Sequence, residues 1–151
     1  MIRAMLVLML LAGPAMADPR MEPAPQPIPL EPFNGAFVVP ALLNGVLTEK
    51  FIVDSGSADV SLPAEIASRL KELGALKASD LLGSKTYMLA DGSKVSSDIY
   101  RISSIAIGGT VVHDVTVRIS PERSHLLLGQ SFLSRLNSWS IDNAHKVMAI
   151  N

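Results

Sequence analysis

The stretch richest in chemistry is Phe51-Ile52-Val53-Asp54-Ser55-Gly56-Ser57-Ala58. An apolar run that reads as a buried strand ends directly on Asp54, and Gly56 then permits a tight backbone turn. A carboxylate delivered at the end of such a strand is held rigidly and partly stripped of water. That suits general acid–base work on a water molecule. One carboxylate alone does not hydrolyse an amide by this route. Two are needed, close enough to share a proton, so that the ionised acid activates water and the protonated one polarises the carbonyl. The chain carries a single Asp-Ser-Gly element. A second copy of the chain would supply the second acid, because a two-fold interface brings the same residue from both subunits to its axis. Asp-Ser-Gly also has a plain structural reading, a strand-ending turn whose carboxylate binds nearby N–H groups.

The remaining candidates for chemistry have bland readings. His113, His125 and His145 are scattered without metal-ligand spacing, so no metal and no cofactor is expected. Asp91 and Asp142 fall in turns, and Glu65, Arg69 and Glu72 fall on the solvated face of a helix. Ser57 has no Gly-x-Ser-x-Gly frame around it. Trp139 reads as a core residue. The chain has no cysteine, which excludes disulfides, thiol catalysis and cysteine-ligated zinc. A net charge of −1 with unclustered Lys and Arg gives no reason to expect a nucleic-acid partner.

The elements that must position Asp54 are mostly strands. Ala36 to Leu43 and Val46 to Val53 flank Asn44-Gly45, a strong hairpin signal. Pro40 inside the first segment suggests an edge position or a bulge. A helix is expected between Pro63 and Gly74, with Leu62, Ile66, Leu70 and Leu73 on its buried face. Lys85 to Val95 alternates around Asp91-Gly92, a second hairpin signal. Ile99 to Ile107 and Val111 to Ile119 form a further pair turning at Gly108-Gly109. Leu126 to Leu128 reads as a buried strand and Ser131 to Leu136 as a short helical turn. Trp139 to Ile141 and Lys146 to Ile150 form a closing hairpin. Many short strands, regular turns and one helix imply a small, mainly-β, barrel-like domain. At 151 residues and 48% apolar, the chain supports one core.

The N-terminus reads as an export signal. Arg3 is followed by the apolar run Ala4 to Ala12, the breakers Gly13 and Pro14, and the small-x-small site Ala15-Met16-Ala17. Residues 1–17 are therefore expected to be a cleaved signal peptide, with the mature chain beginning at Asp18. The run falls short of the roughly 20 apolar residues of a bilayer span. No stable membrane insertion is expected after cleavage, and the protein should be periplasmic or secreted. Asp18 to Pro32 is dense in proline and reads as an extended, disordered tether. The folded domain is expected over residues 33–151.

Taken together, these segments resemble the retropepsin-like aspartic proteases, in the single-domain form found in bacteria. Phe51 to Ser57 is similar to the family's catalytic loop, hydrophobic-hydrophobic-Asp-Thr/Ser-Gly-Ala/Ser. Leu127-Leu128-Gly129-Gln130, followed by Phe132-Leu133, resembles the hydrophobic-hydrophobic-Gly segment threaded against that loop. Tyr87 to Val95 looks like the flap hairpin. The resemblance covers Phe33 to Asn151. It implies a small acid-protease barrel with one principal helix and a flap, its active site formed at a homodimer interface. By the same resemblance Asp54 is the catalytic carboxylate. Ser55 ties two active-site loops together, Gly56 is the turn glycine, and Ser57 is the small residue whose backbone faces substrate. Leu128 and Gly129 support the loop, and Ala90, Asp91, Gly92 and Ser93 form the flap tip. The implied substrate is a peptide or protein. The closing Lys146 to Ile150 strand is a candidate to pair across the dimer. The rival reading keeps the fold without catalysis, as a peptide-binding or envelope-assembly module.

Overall fold

The computed structural model describes residues 26–88 and 91–151. Its strands are β1 (Ile28–Pro29), β2 (Glu31–Phe33), β3 (Ala36–Leu43), β4 (Leu47–Val53), β5 (Val60–Pro63), β6 (Leu81–Met88), β7 (Lys94–Ile107), β8 (Thr110–Ser120), β9 (Leu127–Leu128), β10 (Trp139–Asp142) and β11 (Val147–Ile150). Helix α1 covers Ala64–Glu72, and a short helix α2 covers Gln130–Leu133. One sheet runs β2-β3-β4-β9-β5-β8-β7-β6. It closes on itself where Leu42 and Leu43 of β3 pair with Ala106 and Ile105 of β7. A smaller sheet runs β1-β11-β10. The mainly-β, barrel-like fold with one principal helix is thus the fold observed.

Local chemistry explains the turns. Asn44 and Gly45 have φ of 47° and 70°, the paired positive values that a tight hairpin requires and Asn-Gly tolerates best. Asn44 also donates to Ala75 O at 2.6 Å and accepts from Ser104 N at 2.9 Å, tying the turn to α1's exit and to β7. Pro40 lies between the part of β3 covered by β2, which ends at Val38, and the part covered by β7, which begins at Leu42. Only β4 pairs it there, so its missing N–H costs no second ladder bond.

The helix differs from expectation at both ends. Pro63 caps it, but Leu62 belongs to β5, and Leu73 is 52% exposed rather than buried. Ala67 and Leu70 form the buried stripe. Gly74 (φ +69°) reverses the chain just beyond, so Leu73 is carried away from the core before its side chain can turn inward.

The N-terminal boundary is also earlier than expected. Ile28 and Leu30 are buried in the core, and Leu30 N donates to Lys146 O at 2.8 Å. The segment 28–32 is therefore part of the domain, not tether. Its prolines sit where proline is tolerated, because β1 lies at the edge of its sheet and Pro29 faces outward. Gly108 marks how closely this segment docks, since a Cβ there would lie 2.9 Å from Ile28 Cγ1. Residues 1–17 and the start of the tether lie outside the described residues.

The closing strand is β11. It is the middle strand of its sheet, flanked by β1 on one side and β10 on the other. β10 runs along the whole of one edge, whereas β1 covers only Val147 and Met148 on the other, so among the described residues Ala149 and Ile150 have no strand neighbour on that side. The outer edges of β1 and β10 also lack a strand neighbour among the described residues.

Candidate active site

Asp54 follows β4 directly, and β4 is pinned on both sides of the chain's turn. Phe51, fully buried, anchors the strand in the core, a contribution of roughly 1.5–3 kcal/mol for a side chain of that size. β9 then runs parallel to the end of β4, pairing Ile52 with Leu127 and Val53 with Leu128. The backbone bonds Ile52 N to Leu126 O (2.9 Å) and Asp54 N to Leu128 O (3.1 Å) complete the register. The half-buried Asp54 side chain is held from the other direction by Gly56, whose N–H donates to Asp54 Oδ1 at 2.9 Å. The turn reading and the positioned-acid reading of this motif thus coexist. One carboxylate oxygen shapes the loop, and the acid remains at the loop's surface.

Leu128 and Gly129 support the loop by close approach. Leu128 is fully buried. Gly129 admits no side chain, because a Cβ there would lie 2.6 Å from the Asp59 carbonyl carbon and 2.8 Å from Ser57 O. This contact lets the first turn of α2 dock end-on against the loop. Gln130 N donates to Ser57 O (2.8 Å) and Ser131 N to Ala58 O (3.0 Å). N–H groups that a helix start leaves unpaired are thereby satisfied by loop carbonyls. Gln130 Nε2 adds a bond to Ser55 O at 2.7 Å. Ser55 and Gly56 are exposed, and Ser57 turns its hydroxyl to Asp59 O at 2.8 Å.

Four residues beyond the motif, Ser131, Asp59, Tyr87 and Lys85, also join the site. Ser131 Oγ accepts from Val60 N (2.8 Å) and donates to Thr116 O (2.7 Å), bridging β5 and β8 beneath the loop. Asp59 is buried, 9% exposed, and its Oδ2 accepts from Tyr87 Oη at 2.7 Å and Lys85 Nζ at 3.2 Å. These bonds tie β6, the outgoing strand of the flap hairpin, to the Asp54 loop. Burial, with the Asp59 hydrogen bond second, pushes the Tyr87 phenol well above its ordinary pKa, so it stays a neutral donor. Asp59 alone in sequence looks like any loop acid. Its partners lie on another strand, and only the folded register brings them together.

The flap residues are placed in part. β6 and β7 pair up to Met88 opposite Lys94. Asp91, Gly92 and Ser93 are exposed at the tip. Asp91 Oδ1 accepts from Ser93 N (2.9 Å) and Ser93 Oγ (2.6 Å), and the Ser93 bonds hold the Asp91 carboxyl below its ordinary range. Ala90 lies outside the described residues. Asp142 is a turn-former as expected. It accepts from Ala144 N, His145 N and His145 Nδ1, and the imidazole lowers its pKa while it raises that of His145. His113 and His125 are exposed, and among the described residues no group of His, Cys, Asp and Glu could hold a metal ion.

Comparison with known proteins agrees with this geometry. Residues 39–135 match the family described as "gag-polyprotein putative aspartyl protease". The fold is similar to the crystal structure of a retropepsin-like aspartic protease from Rickettsia conorii. The identity is 25% and the TM-score 0.60, over 82% of this chain and 87% of that one. No curated protein sequence matches. The matched span contains the Asp54 loop, the flap hairpin and the Leu128-Gly129 segment, and the chain belongs to the retropepsin-like aspartyl protease family.

Proposed function

We propose that the protein is an aspartic endopeptidase. It hydrolyses peptide bonds with a water activated between Asp54 and the Asp54 of a second copy of the chain. The observation that carries this reading is the delivery of one acid, at a strand end, by a loop fastened through Leu128, Gly129 and Gln130. The two-copy site supplies the second acid with no new sequence. The exposed Ser55 hydroxyls would meet across the axis, and the open edge at Ala149 and Ile150 of β11 would extend the sheet between subunits.

Catalysis needs one acid ionised and the other protonated. The rate is therefore expected to follow a bell-shaped pH profile, with its maximum on the acid side of neutrality. Cleavage of a peptide library by the mature chain tests the reading. A statine-type mimic of the tetrahedral transition state should inhibit, and chelators or serine-directed reagents should not. Inhibition by a chelator would contradict it.

Export is part of the same proposal. The Arg3 start, apolar run and Ala15-Met16-Ala17 site support a mature N-terminus at Asp18 in the periplasm or medium. The intact mass of the exported protein should begin at Asp18. A mass retaining Met1 in a membrane fraction would point to an uncleaved anchor.

A further inference from the structure

One cavity beside the Asp54 loop has a composition that a purely apolar subsite would not need. Its volume is about 280 Å³, and its walls include Val95, Pro121 and Leu127 with Ser61, Arg118 and His125. The strand register explains how these side chains meet. Ser61 pairs with Arg118 on one side and Leu127 on the other, so the three form a row across β8, β5 and β9. Residues opposite one another on adjacent strands share a face of the sheet. The flanking Val60 and Leu62 are fully buried in the core cluster, and Ser61 is not part of it. By the alternation of a strand, Ser61 therefore faces away from the core and into the cavity. Leu127 precedes the residue whose carbonyl accepts from Asp54 N, which puts the row next to the candidate active-site loop.

Two polar groups in this cavity lack the partners they require. The Ser61 hydroxyl is buried and makes no hydrogen bond among the described residues. A buried hydroxyl is normally paired, and one left unpaired calls for a missing acceptor or donor. Arg118 is half-buried and has no acidic partner among the described residues. Its guanidinium lies over the Tyr87 ring, 5.2 Å from the centroid. The charges around it do not cancel its own. Asp59 is neutralised by Lys85 at 3.2 Å, and Tyr87 remains protonated. The cavity therefore has an apolar wall, an unpaired hydroxyl and a surplus cation.

We propose that this cavity is a specificity pocket for a substrate side chain ending in a carboxylate, glutamate above all. The methylenes of glutamate would pack on Leu127, Pro121 and Val95. One carboxylate oxygen would pair with Arg118, and the Ser61 hydroxyl would donate to the other. Arg and carboxylate form the strongest class of side-chain hydrogen bond. Glutamine keeps the shape and loses the charge, leucine leaves both polar groups unpaired, and lysine meets a like charge. This inference rests on the endopeptidase reading for its substrate, but the pocket's chemistry can be measured apart from turnover.

The experiment uses two readouts on the full mature chain. First, kcat/KM is measured on peptide series carrying Glu, Gln, Leu or Lys at each position flanking the scissile bond. At one position Glu should exceed Leu by about tenfold or more, with Gln between and Lys worst. Arg118→Gln should collapse the Glu-to-Gln ratio towards unity, and Arg118→Glu should shift preference to Lys. Ser61→Ala should lower the Glu-to-Leu ratio. Second, binding of the same peptides, fluorescently labelled, is measured on Asp54→Asn protein with and without Arg118→Gln. Circular dichroism confirms that each variant folds. Peptides cleaved with no acidic preference, or a preference that Arg118→Gln leaves intact, overturn the pocket assignment and leave the peptidase reading standing. Arg118-dependent binding of Glu peptides with no cleavage overturns the peptidase reading and leaves the pocket standing. Loss of both overturns both.

Discussion

Asp54→Asn is expected to abolish peptidase activity, lowering kcat/KM by about 10³-fold or more, while the fold survives. The amide has the shape of the carboxylate, and its oxygen can still accept from Gly56 N, the bond that sets the loop at 2.9 Å. The thermal midpoint should therefore move by no more than about 4 °C, the equivalent of roughly 1 kcal/mol. What the amide cannot do is exchange a proton with water. Asp142→Asn and Asp91→Asn change acids that only shape their own turns, and both variants should retain measurable activity. Wild-type turnover by Asp54→Asn, measured on the same peptides, would remove Asp54 from the mechanism.

Gly129→Ala should be the most damaging small substitution in the domain. The added Cβ meets backbone, the carbonyl groups of Asp59 and Ser57, and backbone has no rotamer into which to retreat. The Ser57 and Ala58 carbonyls that receive the α2 N–H groups would have to move, and the Asp54 loop with them. We expect a loss of about 3 kcal/mol or more and a fall of roughly 10 °C in thermal midpoint. Gly109→Ala is the matched control. A Cβ there meets nothing within 4 Å, and its effect should stay within about 0.5 kcal/mol. Equal midpoints for the two variants, by differential scanning calorimetry, would show that the close contact at Gly129 does not exist in solution.

Features set by neighbours in sequence were readable from it. Asn44-Gly45 needs positive φ at both turn residues, and those residue types supply it wherever they stand. The run Phe51 to Val53 leading into Asp54 marks a buried strand with an acid at its end, because apolar content and position are both local. Features set by partners far along the chain were not readable. Asp59 acquires meaning only when β6 brings Tyr87 and Lys85 to it. Ser131 bridges β5 and β8 only once α2 is docked. The Arg118, Ser61 and Leu127 row exists only in the register of three strands. The N-terminal segment is an instructive intermediate. Its proline density suggested a tether, yet Ile28 and Leu30 alternate with Pro27 and Pro29, and that period of two is the strand signal. Two apolar residues are too short a pattern to outweigh the prolines until the core that receives them is known.

The shared two-copy site is tested most directly by mixing chains. Wild-type protein is titrated with Asp54→Asn protein, at concentrations where sedimentation velocity shows a dimer, and allowed to exchange subunits. If each site needs Asp54 from both copies, mixed dimers are inactive. Activity per wild-type chain should then fall to about one half at equal amounts, and to about one fifth at a fourfold excess of the variant. Activity per wild-type chain that stays constant at every ratio, or full activity in a species that sediments as a monomer, would contradict the shared site and require a second acid within the chain.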